Sequence, residues 1–90
     1  MNIEERMREV ILAKDAKSKD LETKTGIDRD RWNNIRKTTP TAKVRAEEVE
    51  ALALLFPEYA YWLTTGLELP EAGQISPMTE ATRQNLLKVG

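Results

Sequence analysis

The stretch SKDLETKTGIDRDRWNNIR, residues 18–36, reads as two short helices joined by a tight turn at Gly26. Glycine reaches positive φ without steric cost, and Asp28 just beyond it is a good N-cap for the second helix of the pair. Leu21 before the turn and Ile27, Trp32 and Ile35 after it supply the apolar contacts that lock one helix on the other. This leaves Arg29, Asp30, Asn33, Asn34 and Arg36 facing outward, and these are side-chain types that hydrogen-bond to base edges and phosphates.

Working outward from that pair, the spacing of Ile3, Met7, Val10 and Ile11 predicts an amphipathic first helix from Asn2, its cap, to Lys14. Asp15 to Lys17 form the connection, and Ser18 caps a second helix over Lys19 to Thr25. The third spans Arg29 to Lys37, and Thr38-Thr39-Pro40-Thr41 follows as a loop, because proline restricts the residue before it and lacks an N–H. A fourth helix from Arg45 to Phe56 buries Val49, Leu52, Ala53, Leu55 and Phe56. Its Glu47, Glu48 and Glu50 read as exposed charges that favour the helix dipole. Pro57 opens a fifth helix through Leu63 or Thr64, with Tyr59, Trp62 and Leu63 in the core and Gly66 at its end.

The remaining chain divides at residue 67, giving a domain over 1–66 and a C-terminal segment over 67–90. Leu67 to Ile75, with Pro70 and Gly73, reads as an extended connector. Ser76 as cap and Pro77 at the first position start a last helix to Val89, with an apolar stripe of Met78, Ala81, Leu86 and Val89. So short a helix is marginal alone, so it packs on the core or pairs with a second subunit, and dimerisation is the favoured expectation.

Ninety residues, 40% hydrophobic and 32% charged, suit one small globular domain. Such a chain buries only about 60 to 65% of the surface its unfolded form exposes. It has no cysteine and no histidine, which excludes disulfides, thiolate and imidazole metal sites, Ser-His-Asp triads and Cys-His pairs. No cofactor or enzymatic activity is expected. The early acidic N-terminus lacks a long apolar run, so neither a signal peptide, a membrane span nor a membrane partner is expected, and the cytoplasm is the default compartment.

The net charge is −1, but its placement is uneven. Lys14 to Arg45 hold ten basic and five acidic residues, a balance of +5, whereas Ala46 to Gly90 hold two basic and seven acidic, a balance of −5. That polarity suits a molecule with one face on a polyanion.

Over Glu5 to Gly66 the chain resembles the Cro/C1-type helix-turn-helix domains of phage repressors and related bacterial regulators. The resemblance rests on Ser18, Leu21, Gly26, Ile27, Asp28 and Trp32, and on Tyr61-Trp62-Leu63-Thr64-Thr65-Gly66, which is similar to the family's closing "DWLLTG". It implies an all-α, five-helix lambda-repressor-like domain, here followed by the connector and short extra helix. There are departures from the pattern. Glu22 stands where the family prefers alanine, and must reach outward or pair with a cation such as Arg36. Thr25 replaces a usual leucine, and the large Trp32 fills the volume that Thr25 gives up.

The resemblance further implies that the third helix enters the major groove. Arg29 is then the leading base reader, since its guanidinium matches guanine O6 and N7. Asn33 or Asn34 would pair with adenine, and Asp30 would accept from cytosine or orient Arg29 or Arg31. Phosphate contacts fall to Lys17, Ser18, Lys19, Arg36, Lys37, Thr38, Thr39, Thr41 and Lys43. The function implied is a sequence-specific regulator of phage, prophage or bacterial origin. It would bind a palindromic double-stranded DNA operator as a homodimer, under control by abundance or by a protein antirepressor. The alternative is a protein-interaction module on the same scaffold, such as an antitoxin or an antirepressor-type partner, using its acidic half.

Overall fold

Asn2 starts the first helix by a reciprocal pair of hydrogen bonds: its Oδ1 accepts the Glu5 N–H at 2.8 Å, and Glu5 Oε1 accepts the Asn2 N–H at 3.0 Å. The computed structural model describes residues 1–37 and 43–89. Helix α1 runs Ile3–Ala13 and sinks Met7, Val10 and Ile11 completely into the core. Asp15 then turns the chain with φ 48°, a left-handed conformation that aspartate tolerates better than most side chains.

Helix α2 spans Ser18–Thr25 and α3 spans Arg29–Ile35, separated by Gly26 at φ 76°. An added Cβ at Gly26 meets nothing within 4 Å, so the left-handed backbone rather than crowding is what calls for glycine. Ser18 is the first residue of α2 rather than its cap, since the extended N-cap position falls on Lys17; the Ser18 hydroxyl instead accepts from Arg36 Nη1 at 3.1 Å. Asp28 does cap α3, through the Asp30 N–H at 3.1 Å, and α3 ends two residues before Lys37, with Arg36 at its C-cap.

Helix α4 (Ala46–Leu55) leads through a 3₁₀ turn (Pro57–Tyr59) into α5 (Ala60–Thr65), which Gly66 closes at φ 79°. The all-α core is built from Met7, Val10, Ile11, Leu21, Trp32, Ile35, Leu52, Tyr59, Trp62, Leu63 and Ile75. Trp32, fully buried, donates its indole N–H to Thr25 Oγ1 at 3.3 Å. The Thr25 hydroxyl thus supplies the acceptor that a buried indole needs.

The segment after Gly66 is not an extended connector. Leu69 and Gln74 pair as an isolated antiparallel bridge around a 3₁₀ turn, Pro70–Ala72, and Gln74 reaches back to the start of α5. Its Oε1 accepts the Tyr61 N–H and its Nε2 donates to the Pro57 carbonyl, both at 2.9 Å, so one amide serves two backbone groups near the helix start. Ile75 enters the core beside it.

Ser76 caps α6 (Pro77–Val89) through the Thr79 N–H at 3.1 Å. Among the described side chains of α6, those of the first turn dock. The Tyr59 hydroxyl donates to Glu80 at 2.8 Å, and Lys14 lies 3.6 Å from Glu80, 3.4 Å from Glu58 and 5.2 Å from the centre of the Tyr59 ring. From Ala81 to Leu87 every side chain is exposed, and of the expected stripe Met78, Ala81 and Leu86 are left uncovered by the chain itself.

Candidate nucleic-acid interface

Helix α3 presents two chemically distinct sides. Trp32 and Ile35 face inward against Leu21 and are at most 2% exposed. Arg29, Asp30 and Asn33 are exposed, and Asn34 is half-buried at the edge of that outer side. The four side chains expected to address bases therefore sit along one short helix, and three of them project into solvent.

Arg29 is not a loose side chain. Glu22 Oε1 accepts from its Nε at 3.0 Å and its Nη2 at 2.8 Å, while Glu22 Oε2 accepts the Arg29 backbone N–H at 2.8 Å. Of the two expectations for Glu22, reaching outward or pairing with a cation such as Arg36, the pairing holds but not with Arg36, which is turned toward Ser18. Arg29 takes its place because it opens α3, directly across the turn from the middle of α2. Hydrogen bonds from the Arg29 side chain, then from its backbone N–H, hold the Glu22 carboxyl below the usual carboxylate range.

A second arginine fixes the helix from behind. Glu48 is completely buried, and accepts from Arg31 Nε at 2.7 Å and Nη2 at 2.8 Å. Its Oε1 also accepts the Arg45 N–H at 2.8 Å, which starts α4. Glu47 and Glu50 are exposed as expected, but Glu48 is not a solvated dipole charge. Burial alone would raise its pKa; the Arg31 hydrogen bonds and charge and the Arg45 N–H outweigh that and hold it below the ordinary value. Arg31 is a positioning residue that the sequence reading left out of the site. The capping-box spacing of Glu48 after Arg45 signals that this carboxylate turns back to the start of α4, but nothing local signals its pairing with Arg31.

Among the residues expected at phosphates, Lys19, Lys37 and Lys43 are exposed, and Lys17 is exposed but paired with Asp15 at 2.9 Å. Ser18 and Arg36 hydrogen-bond to each other, clipping the start of α2 to the end of α3. Helix α2 begins without a side-chain cap from its N-cap residue, Lys17. Thr38, Thr39 and Thr41 lie outside the described residues.

Among solved structures, the chain is similar to Pf6r from the filamentous phage Pf6 of Pseudomonas aeruginosa PA01. The two superpose with a TM-score of 0.82 at 36% sequence identity, over 97% of this chain and 99% of Pf6r. The chain belongs to the Pf6r family. The likeness to Pf6r extends over nearly the whole chain, so it takes in the folded-back segment and α6 as well as the helix-turn-helix pair. No protein-family model and no curated protein matches the chain. Among the described residues no helix is long and apolar enough to cross a membrane.

Proposed function

We propose that this member of the Pf6r family is a sequence-specific DNA-binding regulator of phage type, with its α2–turn–α3 unit as a Cro/C1-like reading head. The observation that carries this reading is the outer side of α3, where Arg29, Asp30 and Asn33 stand exposed while Trp32 and Ile35 anchor the helix from within. Exposed Lys19, Lys37 and Lys43 flank that side, within the stretch that carries the +5 balance. Such an arrangement gives base-edge donors and acceptors at the centre and phosphate-seeking charge around them. The phage source of Pf6r supports a role in phage or prophage gene control.

A single helix-turn-helix unit makes few contacts, so the operator is a palindrome read by a homodimer. The uncovered apolar side chains of α6, with Leu86 69% and Leu87 81% exposed, support a pairing role for the C-terminal helix. Selection of sites from random duplexes, followed by footprinting, tests the reading. An inverted repeat with half-sites about one helical turn apart is expected. Recovery of no enriched sequence would refute it.

A further inference from the structure

The contact between Glu22 and Arg29 assigns a role to a residue that the DNA-binding reading alone leaves unexplained. Negative charge beside a polyanion is unfavourable, yet Glu22 of α2 lies against Arg29, the first residue of α3, and accepts three hydrogen bonds from it. The backbone N–H contact pins one carboxylate oxygen, and the other oxygen takes the Nε and Nη2 protons. A guanidinium is planar with its donors in a fixed fork, so fixing one edge fixes the direction of the rest. Nη1 makes no hydrogen bond to a described residue, and 51% of the Arg29 side chain remains exposed.

We infer that Glu22 is a specificity-determining positioning residue for Arg29: it holds the guanidinium by its Nε–Nη2 edge and leaves the Nη1–Nη2 fork outward to take the O6 and N7 of a guanine. This rests on the DNA-binding reading and adds to it. Two consequences follow from the chemistry. Holding the arginine in one orientation before binding removes the ordering cost it would otherwise meet at the base, which favours the matched site. Neutralising its charge lowers its attraction to phosphates anywhere on the duplex, which disfavours unmatched sites. Both effects act on discrimination, and they act on non-specific affinity in the opposite sense to a loss of fold.

The test uses the full chain as wild type, Glu22→Ala, Glu22→Gln and Arg29→Ala, against the selected site, a scrambled duplex and the site with each base pair replaced in turn. Glu22→Ala is expected to lose about ten-fold discrimination at the same G·C pair that Arg29→Ala loses. It is also expected to bind the scrambled duplex more tightly than wild type. Glu22→Gln, which keeps an acceptor but not the charge, retains discrimination above that of Glu22→Ala while sharing its tighter scrambled binding. Proton–nitrogen NMR of the free protein reads the pairing without DNA: the Arg29 Nε–H is protected from exchange in wild type and not in Glu22→Ala. Unchanged discrimination in Glu22→Ala, or equal loss on matched and scrambled duplexes, overturns the inference while leaving DNA binding intact. A wild-type protein that binds no duplex overturns both.

Discussion

Both carboxylate oxygens of the completely buried Glu48 are bonded to Arg31, at 2.7 and 2.8 Å, so a charge pair beneath the surface ties α3 to the first turn of α4. Arg31 also donates to the Lys43 carbonyl at 3.3 Å, which adds a contact to the chain just before α4. The orientation of the candidate recognition helix therefore depends on this pair. Removing one partner strands the other charge in a poorly solvated position. Arg31→Ala, which strands the completely buried Glu48, is expected to lower the stability by about 3 to 5 kcal/mol in denaturant titrations. A loss of only a few tenths of a kcal/mol would show that the pair is not structural.

The same carboxylate predicts an acid limit. Its folded-state pKa lies below the value of 4.5 expected for an unpaired glutamate, so its contribution is fully present above that value and is lost as pH falls through the folded pKa. Stability measured from pH 7 downward should hold until about pH 5 and then fall. The fall should be shallower in Glu48→Gln, and an identical acid profile for both proteins would assign the acid sensitivity to other groups.

Thr25 and Trp32 form a second coupled pair. The Thr25 hydroxyl accepts the Trp32 indole N–H and the Ile27 N–H, at 3.3 and 3.1 Å, and donates to the Leu21 carbonyl. Thr25→Val keeps the shape but strands these groups, and should cost about 1 to 3 kcal/mol, whereas Thr25→Ser should cost less. Equal melting of the valine and threonine proteins would show that the hydroxyl is energetically idle.

Much of this architecture is legible along the chain because it follows from local rules. The helical spacing of Met7, Val10 and Ile11, the left-handed turns at Gly26 and Gly66, and the caps at Asn2, Asp28 and Ser76 each involve residues within one or two turns of one another. The features that were not legible join distant residues. Glu48 meets Arg31 across seventeen positions, Arg36 meets Ser18 across eighteen, and Gln74 meets Pro57 across seventeen. Such pairings depend on how helices cross and on where loops fold back, which no helical or turn period encodes. The Glu22–Arg29 pair spans seven positions, but it also depends on the turn between its two helices.

The exposed end of α6 separates association from folding. Replacing both Leu86 and Leu87 with glutamate should leave the folded unit's circular dichroism spectrum unchanged, because these side chains are exposed in the single chain, while the melting temperature loses its dependence on protein concentration. Sedimentation equilibrium should then show the wild-type protein as a dimer and the double variant as a monomer. A variant that still dimerises would place the interface elsewhere.

The flanking lysines should act on all sequences alike. Lys43→Ala and Lys19→Ala are each expected to weaken binding to matched and scrambled duplexes by the same factor, and to reduce the slope of log affinity against log salt by about 0.9. Arg29→Ala should instead cost about 1 to 3 kcal/mol at one base pair. A uniform loss for Arg29→Ala would make that residue a phosphate contact.

The most direct measurement is the affinity of the wild-type protein for its selected duplex and for a scrambled duplex of the same length, followed over a salt series. A DNA-reading regulator should prefer the selected site by about a thousand-fold or more near physiological salt, with both affinities falling steeply as salt rises. Equal affinity for the two duplexes, or no binding to either at low salt, would contradict the assignment of α3 as a recognition helix.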